Sequence, residues 1–243
     1  MRVLGTTRRH RFAALLAGLH ETLLAMGFEA EEMIRDAIAA LETGDTAAAE
    51  AILLRDDTVD RREADIEQKA LVVFATQQPV VAADLRFVAT VFKAASDVER
   101  IGDHAVNIAR ITQRMAREAV IYQPIVDLPL LGQHVRSMIH EALESIVHED
   151  TARAHRVIEA DDAVDTLYRR MRRQLEAAMQ ENPAVIPLAT HLMFVTHYLE
   201  RVSDHCVAIA ERLVFQVTGE MVGEAEEDET QIREAPAASP NVV

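Results

Sequence analysis

One stretch of this chain occurs twice. Glu99 to Ala109 reads ERIGDHAVNIA, and Glu200 to Ala210 reads ERVSDHCVAIA. In each copy an Asp follows the Glu at a spacing of four: Glu99 and Asp103, then Glu200 and Asp204. Around the first copy, Phe87, Val91, Ala94, Val98, Ile101, Ala105 and Ile108 step by four and three. The matching positions around the second are Leu188, Leu192, Val195, Leu199, Val202, Cys206 and Ile209, again all apolar. Such spacing is the signature of a helix with one buried stripe. Residues four apart stack on one helix face, so each copy sets two carboxylates side by side. Like charges so placed cost an isolated helix about 0.2–0.5 kcal/mol. A chain that repeats the arrangement in matching frames is suited to hold a cation.

The repetition extends upstream. Asp56 to Asp60 reads DDTVD and Asp161 to Asp165 reads DDAVD, each pairing acids four apart. Asp45-Thr46-Ala47 likewise matches Asp150-Thr151-Ala152. Periodicity predicts helices over about 8–43, 46–76 and 81–117 in the first unit. In the second it predicts about 130–148, 151–180, and a sixth helix that ends near Val217. Ile52, Val59, Ile66 and Val73 mark the stripe of the second helix. Gly27 is expected to weaken or kink the first helix, Gly44 to end it, and Asp45 to cap the next. Gln77-Gln78-Pro79 breaks the second helix from the third, and Pro183 and Pro187 separate the fifth from the sixth. The expected fold is all-α: two tandem three-helix bundles from an internal duplication. Residues 1–118 form the first repeat, 119–128 a linker, 129–218 the second repeat, and 219–243 an acidic tail expected to be disordered.

The net charge of −15 argues against nucleic acid as a partner, since phosphate backbones need a basic surface. The single cysteine, Cys206, excludes an intramolecular disulfide and occupies an apolar slot, where it reads as a small buried hydrophobe. No signal-peptide pattern opens the chain, and no run of about 18 apolar residues suggests a membrane span. The protein is therefore expected to be cytoplasmic, without direct membrane insertion.

Helix geometry places all four acid pairs beside the apolar stripe, not in it. If the second and third helices of each unit pack antiparallel, their acids face one another. The first groove then offers Asp56, Asp60, Glu99 and Asp103, and the second Asp161, Asp165, Glu200 and Asp204. Carboxylate sets suit hard or borderline cations: Mg, Mn or Fe, with Zn admissible. The plainer reading is that these are solvated surface acids paired with Arg55, Arg61, Arg100 and Arg201. Asp97 is a candidate addition to the first groove, although Tyr198 is its counterpart. His104 and His205 point about 100° away from their neighbouring acids, which favours an interface contact over ligation. His191 and His197 read as structural or exposed. A metal-free helical scaffold and a di-metal carboxylate enzyme are the alternatives, but for the latter ferritin-like sites use Glu-x-x-His, which the sequence lacks. No phosphate-binding loop or H-E-x-x-H motif occurs either.

The doubled ERxxDHxVxIA motif, DDTVD, DDAVD and the QPVVAADLR stretch from Gln78 to Arg86 together resemble the PhoU family, accessory regulators of bacterial high-affinity phosphate uptake. The resemblance spans about residues 8–217. It implies two three-helix bundles with metal clusters on the acid motifs, and so metal roles for the eight acids named above, with Asp57 and Asp162 less central. It further implies a non-enzymatic negative regulator of the phosphate regulon, acting on the sensor kinase PhoR and on the transporter through its ATPase PstB. A homodimer is expected. The second repeat departs from the first in lacking Asp97 and the Asp84-Leu85-Arg86 triplet, which makes a weaker second cluster the expectation.

Overall fold

The computed structural model describes residues 2–76, 82–220 and 222. These form six α-helices and one short 3-10 turn: α1 (Arg2–Thr43), α2 (Thr46–Thr76), α3 (Ala82–Arg117), α4 (Leu128–His148), α5 (Thr151–Glu181), the turn Pro183–Val185, and α6 (Ile186–Thr218). The duplication is visible in length: α2 and α5 each run 31 residues. Local chemistry sets the ends. Asp45 and Asp150 cap α2 and α5 by accepting from Ala48 N and Arg153 N, each at 2.9 Å. Gly44 takes a left-handed φ of 68° at the first α–α turn, and Glu149 takes φ 49° at the matching second turn.

Helices α1–α3 form one bundle and α4–α6 the other. They join through α3 against α6 and α1 against α4, leaving α2 and α5 outermost. Every apolar residue of the α6 stripe is buried, Cys206 included; on α3 the same holds except at Phe87, which is partly buried. Ile52, Val59, Ile66 and Val73 of α2 are buried as well. Burial drives the Cys206 thiol pKa up, so it stays a neutral, inert core group.

Helix α1 runs through Gly27, and α4 begins at Leu128, two residues before its expected start. A Cβ at Gly27 would lie 2.4 Å from Leu143 Cδ2, so the glycine permits α1 and α4 to approach closely. Pro129 and Pro187 sit inside the first turns of α4 and α6, where a missing N–H removes no helical hydrogen bond. By length and composition, Phe12–Thr43 of α1 would qualify as a membrane span. Here Leu19, Leu23, Met26 and Met33 are buried in the protein core instead. The break at Gln77–Pro79 and most of the acidic tail lie outside the described residues.

Candidate metal centres

In the first repeat, Asp56 and Asp60 project from α2 beside Val59, and Glu99 and Asp103 project from α3 beside Val98. Both valines are buried, whereas Asp56, Glu99 and Asp103 are half-buried and Asp60 is exposed. The helices meet closely at Gly102, where a Cβ would lie 3.4 Å from Val59 Cγ1 and 3.7 Å from Asp56 Oδ1. Burial, with Asp60 and Asp103 nearby, pushes the Asp56 carboxyl up to about 6. Burial and the adjacent Asp103 push Glu99 up to about 7. These acids are close enough to resist ionising together.

The second repeat builds the same groove between α5 and α6 from Asp161, Asp165, Glu200 and Asp204. Burial raises Asp161, opposed by the Ser203 hydroxyl, and raises Glu200, reinforced by Asp204. Asp161 Oδ1 is buried without a hydrogen-bond partner, and Glu200 Oε2, also buried, has the His197 ring beside it with Nδ1 at 3.3 Å. A buried carboxylate oxygen without a hydrogen bond, beside further acids, fits a cation in donor chemistry. Among the described residues, no three acidic, histidine or cysteine side chains converge as a ready-made cage. The acids instead lie half-buried to exposed along the α2–α3 and α5–α6 contacts. Asp57 and Asp162 are exposed beside them.

The arginines are only partly where surface pairing would put them. Arg100 meets Asp103 at 2.9 Å and Glu99 at 3.4 Å, Arg201 meets Asp204, and Arg169 meets Asp165 at 2.8 Å. Arg55 turns away to Glu29 and Asp36 on α1, and Arg61 donates to the Asp57 carbonyl.

Asp97 does not join the first groove. It is 8% exposed at the seam between repeats, where Arg212 Nε donates to Oδ2 at 2.9 Å and His205 Nδ1 lies 3.2 Å from Oδ1. His104 stacks on Tyr198 and approaches His205, each with ring centroids 5.7 Å apart. Both motif histidines thus serve the seam, as their helical phase predicts. His191 is also structural, with Nε2 2.8 Å from Glu118 Oε2.

Two groove residues escaped the motif reading. Glu63 accepts from Ser96 Oγ at 2.8 Å and stands close enough to Glu99 to help raise it. In the second repeat the corresponding positions hold Tyr168 and His197, whose rings lie 6.2 Å apart. A register comparison of the two repeats at their differences, rather than their identities, would have found both.

A family profile describing the PhoU domain matches residues 23–112 and again 128–213. The chain belongs to the PhoU family. Among PhoU relatives, the phosphate-specific transport system accessory protein PhoU homolog of Clostridium acetobutylicum is 37% identical over 88% of this chain and 97% of its own. The homolog of Aquifex aeolicus is 36% identical over 83% of this chain and 90% of its own. The crystal structure of PhoU from Pseudomonas aeruginosa superposes with a TM-score of 0.81 at 32% identity, covering 86% of this chain and all of that one. The regulatory PhoU of Streptococcus pneumoniae gives 0.79 at 28% identity, covering 87% of this chain and 99% of that one. Membership of this accessory family supports a role in phosphate uptake regulation.

Proposed function

We propose that this chain is a non-enzymatic, metal-binding regulator of phosphate uptake and phosphate-starvation signalling. It works in the cytoplasm as a homodimer and restrains the phosphate regulon when phosphate is plentiful. Its partners in this reading are a PhoR-like sensor kinase and a PstB-like transporter ATPase. The observation that carries the reading is the pair of matched acid grooves, whose partly buried carboxyls are pushed up by burial and by one another, on a PhoU fold. A cation held by Asp56 and Asp60 together with Glu99 and Asp103 braces α2 against α3, and Asp161, Asp165, Glu200 and Asp204 do the same for α5 and α6. Its charge offsets repulsion among the acids and fixes the shape of the outer faces that α2 and α5 present to partners.

The test is a phosphate-starvation reporter in cells lacking their own copy of the gene. Wild-type protein restores repression in high phosphate. A variant combining Glu99→Ala, Asp103→Ala, Glu200→Ala and Asp204→Ala folds but fails to restore it. A reporter indifferent to the presence of the protein contradicts the regulatory role. Equal repression by both proteins contradicts the role given to the acids.

A further inference from the structure

Beside the α4–α5 turn, the seam between α3 and α6 ends in a cavity of about 420 Å³ whose walls come from both repeats. His20 comes from α1, Arg86 and Phe87 from α3, Gln216 from α6 and Glu149 from the turn. Two of these residues carry unmet polar atoms. Gln216 is 5% exposed, and its Nε2 donates to Glu149 Oε1 at 3.4 Å, yet its Oε1 is buried without a partner. His20 Nε2 is buried without a partner as well. Such atoms are rare in folded proteins and call for an explanation. Arg86 adds donors with capacity to spare. Its Nε donates to the Gln216 carbonyl at 2.9 Å, and among the described residues no ion pair holds the guanidinium.

The duplication shows that the fold does not require these groups. A cavity of about 400 Å³ occupies the matching place at the other end of the seam, walled in part by Gly44 and Met115. The register of the repeats sets Gly44, Met115 and Pro187 against Glu149, Gln216 and Arg86. One end of the seam therefore lacks all three groups. At the polar end Glu149 also keeps a left-handed φ of 49°, and such strain gathers at ligand sites.

We infer that the polar cavity is an effector site for a small zwitterion, an α-amino acid with an apolar side chain. An ammonium group has three donors to place. Glu149, Gln216 Oε1 and the His20 ring offer acceptors for them. Burial lowers the His20 pKa, so the ring is uncharged near pH 7. The Arg86 guanidinium has the planar fork that takes a carboxylate through two parallel N–H bonds. Its bond to the Gln216 backbone sets donor and acceptors side by side, which suits two opposite charges carried on one carbon. Leu16, Phe87 and Val217 supply an apolar wall for the side chain. Asp84 and Glu149 oppose a bare anion such as phosphate, and Arg86 opposes a bare cation. None of these residues belongs to the acid motifs, so the inference stands apart from the metal-binding reading.

The test is calorimetry and thermal denaturation of the chelator-treated full chain with L-leucine and L-phenylalanine at millimolar concentration. Isoamylamine and phenethylamine lack the carboxylate of the two amino acids; isocaproate and hydrocinnamate lack the ammonium. The expected result is that at least one amino acid binds and raises the melting temperature, while its two analogues bind at least about tenfold more weakly. Glu149→Gln keeps the shape of the side chain, and it should weaken amino acid binding at least about tenfold while the chain stays folded. Analogues that bind as well as the amino acid overturn the zwitterion assignment. Unchanged binding in Glu149→Gln places the ligand elsewhere and overturns the site. Binding of neither amino acid overturns the inference and leaves the unmet atoms to ordered water.

Discussion

Asp97 on α3 and His205 on α6 face each other across the seam of the two repeats, Oδ1 to Nδ1 at 3.2 Å. The duplication makes this contact one half of a pair. Its symmetry mate joins Tyr198, the counterpart of Asp97, to His104, the counterpart of His205, and those rings stack at 5.7 Å. One side of the seam is thus ionic and the other aromatic. Burial and the neighbouring His205 hold His104 down at about 4, so it stays neutral near pH 7.

Asp97→Ala is predicted to destabilise the protein by about 2–3 kcal/mol, because it leaves Arg212 and His205 facing a desolvated seam without their acceptor. Urea denaturation checks this. A loss below about 0.5 kcal/mol, the scale of an ordinary surface substitution, would show that the seam does not depend on the pair.

Glu99 binds its proton more tightly in the folded chain, near 7 against 4.5 for the ordinary carboxyl. Its protonation therefore favours folding fully below the ordinary value, and that contribution is lost as pH rises through the folded one. In chelator-treated protein, Glu99→Gln should raise the melting temperature at about pH 8 and leave it unchanged at about pH 4. An equal effect at both values would remove the electrostatic explanation.

Glu149 holds a left-handed φ of 49° where the first repeat has Gly44 at 68°. Left-handed backbone costs a residue with a Cβ about 1–2 kcal/mol, partly offset by the greater unfolded-state freedom of glycine. Glu149→Gly should therefore stabilise by about 0.5–1 kcal/mol. Thermal denaturation decides it, and a destabilised variant would mean that the hydrogen bond from Gln216 Nε2 to Glu149 Oε1, at 3.4 Å, matters more.

Gly27→Ala drives a methyl into Leu143, 2.4 Å from Cδ2. Helix propensity alone would favour alanine by about 1 kcal/mol. Overpacking costs about 1–3 kcal/mol, so a net loss is expected. Leu143→Ala should recover part of that loss in the double variant. Additive effects of the two changes would place the steric conflict elsewhere.

Much of this was legible in the chain itself. The limits of α2 followed from its period of apolar residues and the Asp45 cap, and the eight motif acids sit beside the buried stripes as helical phase requires. What was not legible depended on packing between repeats. Asp97 looked like a groove acid because only its neighbours along the chain were known; its partners, His205 and Arg212, come from a distant helix. Gly27 looked like a weak point because propensity carries no knowledge of Leu143. Pro187 looked like a break, yet a proline breaks a helix only beyond its first turn. Tyr198 in place of Asp97 suggested a weaker second cluster, but that difference belongs to the seam. The grooves diverge at Glu63 and Ser96 instead.

The central claim is that the matched acids hold metal. Its most direct test is metal content by plasma mass spectrometry on protein purified without chelator or affinity-tag metal. Wild type is compared with Glu99→Ala/Asp103→Ala and with Glu200→Ala/Asp204→Ala. The account predicts bound metal in wild type and a repeat-specific loss in each variant, with the helical core intact because the apolar stripes lie elsewhere. Wild-type protein that stays metal-free after exposure to Mn, Fe, Zn and Mg, or variants that keep the full metal content, would contradict it.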